Sequence, residues 1–151
     1  MELATNVVEE MYEHARADYP NECCGVVVAL SDGGQQTLKI RNIQDEMHAA
    51  DAERYPRTAQ TAYLWDSADY KRAIDLWEMP GNRLLAFYHS HPDHEAYFSQ
   101  EDVAQATPFG EPSYPEALQI VVSGVDGEPC DTKAFRWSGE QETYLEIPLE
   151  S

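Results

Sequence analysis

The feature that most constrains this chain is a pair of histidines two residues apart, His89 and His91, at the end of the apolar run Leu84–Phe87. That run has the length and composition of a buried strand. Side chains two apart on a strand point to the same face, so both imidazoles are expected to converge on one metal ion. An acid, Asp102, follows a short loop at the predicted start of a helix. Two histidines and one carboxylate are protein ligands of hydrolytic zinc sites, which keep a position for water.

Hydrolysis at such a metal also requires a base and a donor to the oxyanion that develops in the transition state. Ser99 lies one helical turn before Asp102, where its hydroxyl can face a substrate carbonyl. The same spacing fits a capping box, in which Asp102 reaches back to Ser99 and is then expected to bind metal poorly. Glu22, where a Val-rich strand begins, is the best-placed acid for the base, although spacing barely separates it from a solvated surface residue.

The charge balance limits the expected partners. The chain carries 28 Asp and Glu against 10 Lys and Arg, a formal net charge of -18. Such a surface repels phosphate backbones, so no nucleic-acid partner is expected. Acids spread along a chain with only three lysines resemble proteins from a high-salt cytoplasm, and a moderately acidic bacterial enzyme is the alternative interpretation.

Length and cysteine usage predict one domain, residues 1–151, in a reducing compartment. A chain of 151 residues can bury a single core. Three cysteines, an odd number, and the lack of a signal-peptide pattern at the start favour a cytoplasmic protein without a disulfide framework. No apolar run approaches the roughly 18 to 20 residues of a membrane span, so no membrane partner is expected.

The hydrophobic pattern predicts an α/β fold, a mixed sheet with helices packed on it. The first helix is expected to be capped by Thr5 or Asn6 and to end before Pro20. Residues 44–60 have no clean period and are predicted to form a surface loop, with a single helical turn in it as the alternative. The remaining predicted helices are 67–79 and 102–106, and the predicted strands are 21–30, 37–43, 62–65, 83–88, 117–123, 132–137 and 143–149.

These residues resemble a known family. His89-Ser90-His91-Pro92, six residues, Ser99, two residues and Asp102 match the His-x-His-Pro-x6-Ser-x-x-Asp signature of the JAMM (MPN+) metalloproteases. Upstream, Glu22-Cys23-Cys24-Gly25 resembles the Glu-x-Cys-Gly that opens the first strand of many members. The order of the two motifs and the course of elements between them agree over nearly the whole chain. The resemblance implies a largely antiparallel sheet sandwiched by helices, in a cytidine-deaminase-like arrangement.

Carried over to this chain, the resemblance makes His89, His91 and Asp102 the ligands of Zn²⁺. It makes Glu22 the base that activates water and later protonates the leaving amine, and Ser99 a residue that helps to hold the oxyanion. The implied reaction is hydrolysis of a peptide or isopeptide bond without a covalent intermediate. His94 or Glu95 as a fourth ligand is a less favoured alternative, because the family varies freely inside this loop.

The motifs are most similar to those of stand-alone prokaryotic members. Those act on ubiquitin-like sulfur-carrier proteins that end in Gly-Gly, and they release either a lysine or a cysteine from the carrier. A Gly-Gly tail fits a narrow cleft beside a strand edge, and loops 44–60 and 107–115 are candidates for its wall. Alternatives are a non-catalytic MPN scaffold, a cell-wall or phage-tail peptidase, and a metal hydrolase of a small amide.

A thiol mechanism is not favoured. Cys24 enters a Val-rich strand, a position typical of a small core residue rather than of a nucleophile. No role is assigned to Cys23 or Cys130. The three tryptophans are interpreted as core or interface aromatics: Trp65, Trp77 and Trp137.

Overall fold

The computed structural model describes residues 2–149, which form four helices and six strands. The helices are α1 (Thr5–Asp18), α2 (Gln44–Ala50), α3 (Ser67–Trp77) and α4 (Gln100–Ala106). The strands are β1 (Cys24–Ala29), β2 (Gln35–Ile40), β3 (Arg83–Pro92), β4 (Leu118–Val125), β5 (Glu128–Ser138) and β6 (Thr143–Ile147). They form one sheet in the order β2-β1-β3-β4-β5-β6, in which β3 and β4 are parallel and all other neighbours are antiparallel.

Helices cover both faces of this sheet. Val7 and Met11 of α1, four residues apart on one helical face, are fully buried in a cluster with side chains of β1, β3 and β4. Ala73 and Trp77 of α3 pack on the opposite face, against β1 and Phe87 of β3. The predicted mixed, largely antiparallel sheet between helices is therefore confirmed.

Three local predictions are wrong. Residues 44–60 contain the seven-residue helix α2, longer than the single turn that the sequence allowed there. Only Gln44 of this helix is buried, so the sequence shows no apolar stripe, and two acids in the first turn suit the positive end of the helix. The predicted strand 62–65 is a single bridge between Asn42 and Trp65. The N-cap of α1 is Ala4, without a side-chain cap, and Asn6 instead donates a hydrogen bond to the Gln35 carbonyl.

The pairing of β1 with β3 positions the site. Cys24 lies opposite His89, and the next pair outward is joined by two hydrogen bonds, from Ser90 N to the Cys23 carbonyl at 3.1 Å and from Cys23 N to Ser90 Oγ at 2.8 Å. Continuing this antiparallel register brings Glu22 opposite His91, on the face that carries both histidines. A residue 67 positions before His89 thereby reaches the histidine pair.

The glycine of the upstream motif has a steric role. A Cβ on Gly25 would lie 2.5 Å from the ring of Tyr88 and 2.6 Å from the Leu38 carbonyl oxygen. Only glycine allows the backbone and the Tyr88 ring to approach this closely. None of the helices among residues 2–149 is both long and apolar enough to cross a membrane.

Candidate metal centre

Three side chains meet at the carboxyl end of β3. Among residues 2–149, His89, His91 and Asp102 form the group whose ligand atoms lie close enough together to hold a metal ion. The Nε2 atoms of the histidines are 3.1 Å apart. Asp102 Oδ2 lies 3.1 Å from His89 Nε2 and 3.2 Å from His91 Nε2. None of the three residues is more than 6% exposed, so two imidazoles and a carboxylate converge on one buried point.

Hydrogen bonds alone do not satisfy this cluster. His91 Nδ1 lies 3.0 Å from the Glu95 carbonyl, which can only accept, so Nδ1 carries the hydrogen and Nε2 presents a lone pair in the neutral ring. His89 Nδ1 is buried without a partner among the described residues. Burial lowers the pKa of His89 and favours its neutral ring, which therefore carries a single hydrogen. Either tautomer of His89 leaves one buried nitrogen unsatisfied.

The carboxylate adds a further acceptor. Burial opposes the ionisation of Asp102, but the proximity of His89 and His91 and the hydrogen bond from the Ser99 N–H outweigh it and hold the pKa of Asp102 well below its usual range. The site thus contains more acceptor lone pairs than N–H groups that could donate to them. A cation in the middle is the arrangement that satisfies all three groups.

The spacing fits a small divalent cation. Tetrahedral zinc, with ligands at 2.0 to 2.2 Å, separates its ligand atoms by roughly 3.3 to 3.5 Å. The three separations here are 3.1, 3.1 and 3.2 Å. One carboxylate and two imidazole nitrogens are also a donor set that zinc accepts. The residues present therefore fit the metal that the sequence predicts.

Asp102 caps α4 and joins the cluster at the same time. Ser99 is the N-cap: its hydroxyl accepts from Asp102 N, while Ser99 N donates to Asp102 Oδ2 at 3.0 Å. The oxygen that reaches back is the one that faces both histidines. Capping therefore does not hold Asp102 away from the histidines, because a carboxylate oxygen has two lone pairs and can serve both contacts.

Glu22 is a buried acid beside this cluster. It is 5% exposed, and its Oε1 has no hydrogen-bond partner among the described residues. Burial, reinforced by the charge of Asp102, raises the pKa of Glu22 to about 9, while Arg57 opposes that rise. A carboxyl group that is buried, unpartnered and shifted in this way is typical of a functional site.

The backbone around Glu22 is held by an asparagine that sequence reasoning missed. Asn42 Nδ2 donates to the carbonyls of Glu22 and Ala62, and Asn42 Oδ1 accepts from Leu64 N. Glu22 N donates to the Ala59 carbonyl at 2.7 Å. These bonds fasten the start of β1 to the segment 59–64, and no local sequence signal marks them because each joins residues at least 20 positions apart in the chain.

An open cleft of about 460 Å³ runs along this site. Its lining includes Glu22, Ser99 and Asp102, with Arg57 and Thr61 from the segment after α2. Of the two predicted walls, the 44–60 region therefore contributes through Arg57, while none of the residues in 107–115 lines this cleft. A second missed residue, Tyr63, stacks on the His89 ring with centroids 4.7 Å apart and fixes its plane.

The less favoured candidates lie outside the cluster. His94 lines the cleft but is not part of the described group of metal-competent side chains, and Glu95 contributes its backbone carbonyl to His91. Cys24 is fully buried in the core next to β2, with Sγ 3.3 Å from the Ile40 carbonyl. Its placement agrees with the interpretation of a small core residue.

Fold and site together define the class: a mixed sheet between helices that presents a buried His-His-Asp cluster with an acid beside it. Comparison with known proteins identifies the family. Residues 4–138 match the model of the prokaryotic homologs of the JAB domain, so the chain belongs to that family. This confirms the resemblance found in the sequence.

Individual relatives agree with this family. The chain is 30% identical over 136 residues to a CysO-cysteine peptidase of Mycobacterium tuberculosis, covering 89% of this chain and 80% of that protein. It is 27% identical over 156 residues to a desampylase of Haloferax volcanii, covering 99% and 96%. A crystal structure of a JAB1/MPN domain protein from Archaeoglobus fulgidus matches the fold with a TM-score of 0.53 at 15% identity, over 100% of both chains.

Proposed function

We propose that this protein is a zinc-dependent peptidase or isopeptidase that hydrolyses the bond after the C-terminal glycine of a small ubiquitin-like, sulfur-carrier-type protein. The observation that carries the proposal is the convergence of His89, His91 and Asp102 within 3.2 Å of one another, with the unpartnered carboxyl of Glu22 in the same cleft. A complete set of donors and a base supports catalysis over a scaffold role.

His89 and His91 would hold Zn²⁺ through Nε2, and Asp102 through Oδ2. When bound, zinc supplies a Lewis acid that polarises the substrate carbonyl and lowers the pKa of a bound water to about 7. The hydrogen bond from His91 Nδ1 to the Glu95 carbonyl and the stacking of Tyr63 on His89 hold both rings in the required orientation.

Glu22 acts as the general base. In the metal-free protein its pKa of about 9 keeps the carboxyl protonated at neutral pH. Positive charge at the three neighbouring donors lowers that pKa, because an opposite charge nearby favours the ionised form. Glu22 then accepts a proton from the attacking water and returns it to the nitrogen of the leaving amine.

Ser99 helps to stabilise the oxyanion. Its hydroxyl oxygen accepts from Asp102 N, which leaves the hydroxyl hydrogen free to be donated into the cleft that Ser99 lines. A donor aimed at the developing charge stabilises the transition state more than the substrate.

The relatives and the shape of the site support this substrate class. The named relatives are a CysO-cysteine peptidase and a desampylase, which supports a ubiquitin-like carrier as the substrate of this chain. A tail that ends in Gly-Gly has no side chains to obstruct its approach to the buried cluster from the open cleft.

The test is hydrolysis of a ubiquitin-like sulfur-carrier protein fused through its Gly-Gly end to a short peptide. Zinc-loaded wild type should release the peptide, and Glu22→Gln should reduce the rate by roughly 10²- to 10⁴-fold while zinc stays bound. Glu9→Gln, an exposed acid on α1, makes the same change of charge outside the cleft and should keep the wild-type rate. Zinc binding without cleavage by the wild type would instead favour the scaffold.

A further inference from the structure

Arg57 has no part in the mechanism above, yet it stands in the catalytic cleft. We infer that Arg57 is a specificity-determining residue that binds a free carboxylate on the leaving group. The preferred leaving group is then an α-amino acid joined through its amine to the carrier's terminal glycine, rather than a lysine side chain. This inference rests on the proposed function of the site.

The Arg57 guanidinium has donors to spare. A guanidinium has five N–H donors. Here Nη1 donates to the Thr61 carbonyl at 3.1 Å, and Nη2 lies 3.8 Å from Glu101 Oε1, longer than a hydrogen bond. The side chain is 44% exposed and therefore open to a ligand. Most of its N–H donors therefore have no hydrogen-bond partner among residues 2–149.

The position of Arg57 is built into the fold. Its carbonyl accepts a hydrogen bond at 3.0 Å from Gln44, the buried residue at the start of α2. Two residues later the Ala59 carbonyl binds Glu22 N, so the segment that carries Arg57 is tied directly to the proposed base. These hydrogen bonds fix the position of the Arg57 backbone relative to Glu22.

Charge marks Arg57 as unusual in this place. Among the described residues that line the cleft, it is the one with a fixed positive charge, and three of its neighbours there are the acids Glu22, Glu101 and Asp102. The chain as a whole carries 28 acids and 10 Lys and Arg. A cation kept in an otherwise acidic cleft is suited to an anionic substrate group, and a guanidinium binds a carboxylate in a bidentate manner.

The position of Arg57 on the same side of the cleft as Glu22 indicates which part of the substrate it contacts. Hydrolysis breaks the glycine C–N bond: water adds its oxygen to the carbonyl carbon, one proton ends on the leaving nitrogen, and no other reactant is needed. Glu22 delivers that proton, so the leaving amine lies at Glu22, near Arg57. In an α-amino acid the carboxyl carbon is about 2.5 Å from the amine nitrogen. A lysine side-chain amine has no carboxylate at that distance.

The experiment compares two peptides that differ only at the C-terminus. Both end in Gly-Gly-Ala, one with a free carboxylate and one with a carboxamide, and their binding to zinc-loaded Glu22→Gln protein is measured by calorimetry. The carboxylate should bind roughly 10- to 100-fold more tightly, the range expected for hydrogen bonds to a charged group. Arg57→Gln in the same background should abolish that preference.

A matched control separates local recognition from net charge. Arg54→Gln removes the same charge from an exposed side chain three residues away and should leave the preference intact. Equal binding of the two peptides to the protein with Arg57, or a preference that survives Arg57→Gln, would overturn the inference. Failure of the wild type to cleave the carrier fusion would refute the proposed function, whereas the binding ratio would still decide the role of Arg57.

Discussion

Two buried histidine clusters lie on opposite faces of β3, and they are organised in contrary ways. On the α1 face, His14 Nδ1 is 2.8 Å from the Tyr88 hydroxyl and His14 Nε2 is 3.2 Å from Asp18 Oδ2, so each ring nitrogen has its own partner. On the other face, the nitrogens of His89 and His91 point at each other and at Asp102. Tyr88 and His89 are adjacent in sequence but belong to different clusters.

The difference separates a stabilising network from the candidate metal centre. Around His14, donors meet acceptors, which is how buried polar groups normally compensate for lost hydration. In the other cluster, His89 Nδ1 and, in the same cleft, Glu22 Oε1 have no partner among residues 2–149. Buried polar atoms lack hydrogen-bond partners at the place where a ligand would complete their contacts.

The unsatisfied groups around His89 should have their largest effect on the pH dependence of the free energy of unfolding of the metal-free protein. The pKa of Glu22 is raised from an ordinary 4.5 to about 9, so between these values the folded state holds one proton more than the unfolded state. Its contribution is fully present below about pH 4.5 and is lost as the pH rises through about 9. We expect a slope near 1.4 kcal/mol per pH unit, or about 3 kcal/mol between about pH 5 and about pH 7.

Urea unfolding of chelator-treated protein at a series of pH values measures this effect. Glu22→Gln cannot titrate and should lack this part of the slope, so it should be the more stable protein at neutral pH. Superimposable pH profiles of wild type and variant would show that Glu22 is not held in the environment described here.

How far the sequence predicted the site depends on how local each contact is. His89 and His91 follow from strand alternation, and Ser99 and Asp102 from one helical turn. Glu22 was only weakly indicated by its place at the start of a strand and was singled out by the family motif, because the β1–β3 register that brings it to His91 is a long-range pairing. Asn42 and Tyr63 gave no signal, since they act on chain segments about 20 and 26 residues away, Glu22 and His89 respectively.

The same reasoning explains the successes and errors in the fold. Helix α3 was predicted from its correct first residue, Ser67, and with an end two residues beyond Trp77, because Tyr70, Ala73 and Trp77 repeat at helical spacing. Helix α2 has no such repeat, and its start is fixed by a hydrogen bond from Gln44 N to Asn42 Oδ1. A helix that is stabilised by polar contacts to a neighbouring loop has no hydrophobic periodicity, so it cannot be predicted from that pattern.

Breaking the satisfied cluster should affect stability and spare the metal centre. His14→Phe keeps a ring of similar size but leaves the buried Tyr88 hydroxyl without its partner. We expect a loss of about 2 kcal/mol in the free energy of unfolding, the cost of one unsatisfied buried group. Chemical denaturation measures that loss, and zinc titration should give a wild-type affinity. Weakened zinc binding would mean that the two faces of β3 are not independent.

Ser99 should show the smallest change in stability. Ser99→Ala removes the N-cap hydroxyl of α4 and should lower the free energy of unfolding by about 1 kcal/mol. If the hydroxyl also donates to the oxyanion, kcat should fall by roughly 10²- to 10³-fold with zinc still bound. Thermal unfolding and steady-state kinetics on the same preparation separate the two effects. An unchanged kcat would leave Ser99 with a capping role alone.

The most direct test of the account is metal analysis of the purified protein beside two histidine variants. Wild type and His14→Phe should each bind about one zinc per chain, whereas His91→Ala should lose stoichiometric zinc while remaining folded. That result would follow from three lone pairs converging on one point on a single face of β3. Stoichiometric zinc in His91→Ala, or loss of zinc in His14→Phe, would contradict the assignment of the metal centre.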